Sequence, residues 1–131
     1  MLRVPSPLDD ATEAQITAVI DCAVAVHRTL GPGFIESVYH NALCLELQTR
    51  GIPFETEKTV VVRYLEKPVG VHRLGLVVDS AVIVELKAVK CLDAAHHAQV
   101  LSYLKATGYR VGLLMNFGGV TLSQGLRRVV L

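Results

Sequence analysis

Residues 82–88 read VIVELKA, a stretch rich in β-branched residues that predicts a strand in the interior of the fold. Glu85 and Lys87 stand two residues apart, so in a strand both side chains point to the same face. An apolar strand rarely carries two opposite charges side by side unless they serve a function. The alternative interpretation is a salt bridge on an edge strand.

Hydrophobic periodicity on both sides of this strand predicts an α/β fold. A spacing of about 3.6 residues predicts helices, and a cluster or alternation of apolar residues predicts strands. Asp93 is a suitable cap for the third helix. The predicted elements are helices at 11–30, 34–50 and 93–107 and strands at 54–64, 71–78, 81–87 and 109–117.

Turn-forming residues separate the predicted strands. Pro68-Val69-Gly70 predicts one turn and Asp79-Ser80 predicts the next. A two-residue turn at Asp79-Ser80 would place Leu74 opposite Glu85, whereas a three-residue loop would place Gly75 there. The sequence leaves both registers open.

Composition indicates a globular protein. The chain has 131 residues, 51% of them hydrophobic, and a net charge of +1, so any contact with nucleic acid would need a local cluster of basic groups. We expect a loose lead-in at 1–10 and one domain at 11–131. No apolar run reaches about 18 residues and the N-terminus lacks a signal-peptide core, which predicts a cytoplasmic protein without a membrane segment. The high apolar fraction is compatible with a homodimer.

Four segments, taken in order, resemble the GxxExxY protein family of the PD-(D/E)XK nuclease superfamily. They are Gly33–Tyr39, which fits GxxExxY, the Glu-Leu-Lys segment at 84–88, Gln99-x-x-x-Tyr103, and the helix and strand at 104–118. The resemblance implies a restriction-endonuclease-like core, with a mixed central sheet flanked by helices. It also implies Mg²⁺-dependent hydrolysis of phosphodiester bonds in DNA or RNA.

The same resemblance assigns catalytic roles to Glu36, Glu85 and Lys87. Glu85 and the backbone carbonyl of Leu86 would bind Mg²⁺, which prefers oxygen ligands. Lys87 would act on the attacking water or on the developing negative charge. Glu36 has a simpler explanation as well, because an acid in the first turn of a helix interacts favourably with the helix dipole.

Gln99 and Tyr103 are expected to contact substrate from one face of the third helix. An ordinary polar helix face explains the same spacing. Tyr39 lies on the apolar stripe of its own helix, so it is as suitable for core packing as for binding. His96 and His97 are adjacent in a helix and therefore do not form a joint metal site.

One position departs from the family pattern. The family carries an aspartate in an Arg-x-Asp segment on the first strand of the hairpin, but here the segment is Arg73-Leu74-Gly75. Glycine has no side-chain ligand, so we expect weak Mg²⁺ binding and impaired cleavage. The alternatives are a nuclease with residual activity and a non-catalytic binding or assembly module. Asp79 is close in sequence, but its place in a turn explains it better.

Overall fold

A computed structural model describes residues 7–131 as one mixed sheet covered by helices on both faces. Residues 1–6 of the predicted lead-in lie outside the described part of the chain. Within the remainder of that lead-in, Leu8 is buried and Asp9 caps the first helix.

The described elements follow the predicted order closely. They are α1 (Asp10–Leu30), α2 (Glu36–Thr49), β1 (Phe54–Tyr64), β2 (Lys67–Val78), β3 (Val82–Lys87), α3 (Ala94–Thr107), β4 (Val111–Asn116) and β5 (Leu126–Val130), with a 3-10 turn at Leu122–Gly125. The strands lie in the order β1-β2-β3-β4-β5. Only the β3–β4 pair is parallel among these strands, so the expected mixed α/β sheet is confirmed. Among the described helices, none is long and apolar enough to span a bilayer.

Strand β3 lies at the centre of the sheet and separates two apolar cores. Val84 and Leu86 pack in the core under α1 and α2, whereas Ile83 packs in the core under α3. Alternation along β3 therefore directs Glu85 and Lys87 to the α3 face. This arrangement explains why the stretch at 82–88 is almost wholly apolar and yet delivers two charges to one place.

Capping residues define the start of α1 and both ends of α3. The Asp9 carboxylate accepts a hydrogen bond from the Thr12 N–H at 2.7 Å, and Asp93 accepts from the first turn of α3. Gly108 ends α3 with φ 80°, a left-handed conformation that glycine adopts without strain. Such caps satisfy backbone groups that a helix end leaves unpaired, and each contributes about 1 kcal/mol.

The structure differs from the sequence prediction in β2 and adds a strand at the C-terminal end of the described residues. The predicted turn at 68–70 is wrong, because these residues belong to β2 and the chain turns at Leu65 and Glu66. Both turn residues have positive φ, 50° and 65°, as a two-residue hairpin turn requires, but neither is a residue type that signals such a turn. The predicted elements end at residue 117, whereas in the structure residues 126–130 form a further strand, β5, beside β4.

Candidate active site

A concavity of about 180 Å³ opens between α2 and the strands β1, β2 and β3. Its volume suits a hydrated ion and a phosphate group better than a whole nucleotide. It is lined by Glu36, His40, Glu57, Arg73, Gly75, Val84, Glu85 and Leu86.

A larger concavity, of about 400 Å³, lies beside α1 and residues 120–123. Its lining includes His27 and Arg28 but none of the predicted site residues. His27 there contacts the carbonyls of Phe117 and Gly119 at 3.2 and 3.0 Å, so its ring serves the fold. The smaller concavity is therefore the candidate site, because it is lined by predicted site residues, including Glu36 and Glu85, and the larger one is not.

Strand β3 presents the charged pair as predicted. The Lys87 Nζ atom lies 3.3 Å from Glu85 Oε1, and both side chains are largely buried, at 18% and 14% exposed. Lys87 Nζ also donates to Gln99 Oε1 at 3.0 Å. A carboxylate and an amide therefore hold the ammonium group on the α3 face of β3, and this fixed position is what a charge-stabilising group needs.

The groups around Glu85 shift the pKa of its carboxyl group in opposite directions. Burial raises the pKa of Glu85 above its usual 4.5, and this effect exceeds the lowering by the Lys87 charge and hydrogen bond. The charge of Glu36 raises the pKa further, and His96 lowers it. Glu36 and Glu85 therefore interact across the site, and a cation between them would relieve the repulsion.

The hairpin register settles which β2 residue lies beside Glu85. Val78 pairs with Val82 and Leu76 pairs with Val84, so the loop between them is the three-residue alternative. The next residues outward are Gly75 and Glu85, at the point where paired hydrogen bonding between β2 and β3 ends.

Gly75 leaves open space beside the carboxylate. A Cβ atom built on Gly75 would meet nothing within 4 Å, and its φ is not in the left-handed region. The backbone therefore does not require glycine here.

The backbone carbonyl of Leu86 points toward the same gap. The carbonyl of Lys87 accepts from the Phe117 N–H at 2.8 Å, on the β4 side of the strand. Because successive carbonyls of a strand alternate in direction, that of Leu86 is turned toward β2. The pairing of β2 with β3 has already ended at this level, so this oxygen faces the concavity.

The GxxExxY segment places Glu36 through its tyrosine. The fully buried Tyr39 donates from its hydroxyl to the Gly31 carbonyl at 2.6 Å and accepts from the Phe34 N–H at 3.1 Å. Its ring stacks on Phe117, with centroids 4.8 Å apart. Tyr39 is thus a core residue that fixes the loop before α2, and this loop sets the position of Glu36 in the first turn.

The predicted substrate-contact residues on α3 differ in their surroundings. Gln99 holds Lys87, as described, whereas Tyr103 is only 5% exposed and packs edge-on against His72 at 4.8 Å. Burial, followed by the charge of Glu85, raises the pKa of Tyr103 to about 12. A substrate contact by Tyr103 remains a prediction, and the packing places it beneath the site.

The donor set fits a hard divalent cation in part. Glu36, Glu85 and the Leu86 carbonyl are oxygen donors, the type that Mg²⁺ prefers. A Cβ atom on Gly75 would meet nothing within 4 Å, so a further ligand side chain could begin at this position. Across residues 7–131, however, no three His, Cys, Asp or Glu side chains are grouped so that they could hold a metal ion.

Sequence reasoning missed Glu57 and assigned no role to Arg73, although both charged residues line the concavity. Glu57 lies on β1, across from Gly75, and Arg73 Nε approaches Glu57 Oε2 at 3.7 Å. Arg73 stands in the Arg-x-Asp segment, whereas Glu57 belongs to no recognisable motif and is revealed only by the pairing of β1 with β2.

A family model described as the PD-(D/E)XK nuclease superfamily matches residues 13–129. The matched range contains every residue of the concavity. Proteins of that superfamily generally use divalent metal ions. No curated protein and no solved structure shows significant similarity to the chain.

Proposed function

Because this chain belongs to the PD-(D/E)XK nuclease superfamily, we propose that it binds DNA or RNA at the concavity and hydrolyses phosphodiester bonds weakly, with Mg²⁺ as cofactor. We further assign it to the GxxExxY group, on the segment at 33–39. The observation that carries the proposal is the meeting of Glu85, Lys87 and Gln99 beside Gly75, where an added Cβ atom would meet nothing within 4 Å.

Glu36, Glu85 and the Leu86 carbonyl are the groups that would hold the cation. When bound, a divalent metal supplies positive charge to the phosphate and makes a water more acidic. Lys87 adds a second positive charge that Gln99 keeps in place, and the transition state of phosphodiester hydrolysis gains negative charge. Arg73, at the rim, is suited to contact the backbone of the nucleic acid.

The missing strand carboxylate limits the proposed activity. One fewer carboxylate leaves the cation with less opposing charge, so Mg²⁺ affinity falls and a smaller fraction of the protein is loaded. This same feature favours the second candidate, a non-catalytic nucleic-acid binding module that keeps the nuclease fold.

The test is a cleavage and binding assay on single- and double-stranded DNA and RNA, with Mg²⁺ or Mn²⁺. We expect every variant to bind nucleic acid, wild type to cleave slowly, and Glu85→Gln and Lys87→Met to cleave no faster than buffer. Cleavage that survives both substitutions would place the chemistry elsewhere. Binding without cleavage, in wild type and in Gly75→Asp alike, would favour the binding module.

A further inference from the structure

In both β1 and β2, the regular alternation of side chains between the two faces of the sheet is interrupted, and the two interruptions lie side by side. Phe54 packs against the core under α1 and α2, but Val60, six residues later, packs against the core under α3. Residues separated by an even number share a face in a regular strand, so β1 must be irregular between them. On β2 the same change occurs between Leu76 and Leu74, which lie in different cores.

Glu57 and Gly75 lie at these two interruptions. Thr56 pairs with Leu76 and Lys58 pairs with Leu74, and the two residues between them face each other without a ladder pairing. Glu57 has φ 53°, a left-handed conformation that is costly for a residue with a long side chain. The irregularity gives Glu57 a place in the lining of the concavity that contains Glu85.

We propose that Glu57 supplies the second strand carboxylate of the metal site, in place of the side chain that Gly75 lacks. The inference rests on the proposed function, and it names the residue of this chain that would complete the donor set. Glu57 lies across from Gly75 on the neighbouring strand, and both line the concavity.

As arranged within residues 7–131, the carboxylates of Glu36, Glu57 and Glu85 are not grouped to hold a metal ion, so Glu57 would have to turn away from Arg73 to reach a cation at Glu85. The Arg73–Glu57 contact is long, at 3.7 Å, and the two side chains are 72% and 61% exposed. Exposed ion pairs of this kind contribute little to stability. A divalent cation beside the partly buried Glu85 offers a stronger interaction, because surrounding water screens it less.

Mn²⁺ binding to the full-length chain, followed by calorimetry and by electron paramagnetic resonance, tests the inference without a cleavage assay. We expect Glu57→Gln to weaken binding at least about tenfold, since even outer-shell partners of a metal site cost that much. Glu55→Gln is the matched control, because Glu55 is also an exposed acid of β1 in an ion pair, with Lys58 at 3.5 Å. It should bind as wild type does.

A double variant adds a second readout. If the aspartate introduced by Gly75→Asp takes over the role, Glu57→Gln should cost much less affinity in that background than in wild type. Circular dichroism confirms that each variant is folded, and the exposure of Glu57 makes unfolding an unsuitable explanation for lost binding.

The outcomes separate this inference from the proposed function. Unchanged Mn²⁺ binding in Glu57→Gln, with loss in Glu85→Gln, would overturn the role of Glu57 and leave the metal site intact. Binding by Gly75→Asp but not by wild type would also overturn it, since Glu57 would then supply no ligand. If neither protein binds Mn²⁺, both the inference and the proposed metal site fail.

Discussion

Replacing Gly75 with aspartate should raise Mg²⁺ affinity while it destabilises the metal-free protein. No steric cost is expected, because a Cβ atom there meets nothing within 4 Å. The introduced carboxylate would lie beside that of Glu85, and two like charges about 6 Å apart repel each other by about 3 kcal/mol at an effective dielectric constant of about 20. Lys87 offsets part of this repulsion, so we expect a net loss of about 1–2 kcal/mol without metal.

Metal should more than reverse that loss. A ligand present at about a hundred times its Kd stabilises the folded state by about 2.7 kcal/mol. For a chain of this size, that corresponds to a rise in Tm of roughly 10 °C. The assay is thermal unfolding of wild type and variant across a series of Mg²⁺ concentrations, with calorimetry to give Kd.

Gly70→Asp provides the matched control. Gly70 also lies on β2, has open space around its Cβ position and does not line the concavity. It should show no Mg²⁺-dependent gain beyond that of wild type. If Gly75→Asp and Gly70→Asp respond alike, Gly75 is not the ligand position and the reasoning from the register is refuted.

Three further predictions concern the buried acid, the lysine contact and the tyrosine of the GxxExxY segment. Because the folded-state pKa of Glu85 is raised above 4.5, the folded protein retains this proton longer, and stability falls as pH rises from 4.5 through the folded pKa. Glu85→Gln should therefore gain stability relative to wild type over that window, by about 1.4 kcal/mol per unit of raised pKa, in urea unfolding at a series of pH values. If the difference in unfolding free energy between Glu85→Gln and wild type did not change with pH, the raised pKa of Glu85 would be contradicted. Gln99→Leu, made in the Gly75→Asp protein, should lower the cleavage rate by up to about a hundredfold and leave the Kd for Mn²⁺ unchanged, since it displaces Lys87 alone. If Gln99→Leu weakened Mn²⁺ binding as well as cleavage, Gln99 would have a role other than holding Lys87. Tyr39→Phe should cost about 1–2 kcal/mol in urea unfolding, because the hydroxyl serves two backbone groups of the loop before α2. A cost below about 0.5 kcal/mol would mean that water replaces it.

The helices and the central strand were predictable because each carries its signal within its own sequence. Asp93 and Gly108 delimit α3 by local capping chemistry. The β-branched residues at 82–84 favour a strand. β5 could not be predicted in this way. Its exposed residues include Arg127 and Arg128, and it becomes a strand because the fully buried β4 offers an open edge for pairing.

The residues of the candidate site also differ in whether local sequence patterns could predict them. Glu85 and Lys87 follow from alternation in one strand, and Gln99 follows from helix periodicity, so all three were predictable. Glu57 depends on the pairing of β1 with β2, and the predicted turn at 68–70 would have shortened β2 and changed that pairing.

The position of Gly75 explains why one misplaced turn matters for function. The chain turns at 65–66 through two residues that carry no turn signal, and a one-residue register shift between Val62 and Arg63 then brings Glu57 across from Gly75. A one-residue slip would move every side chain of the ribbon to the opposite face. The family pattern alone shows that glycine stands where the family has an aspartate. Identifying a carboxylate that could take its place requires the three-dimensional register of β1 and β2. If Glu57 supplies that carboxylate, as we propose, then metal binding depends on the residue that local sequence patterns reveal least.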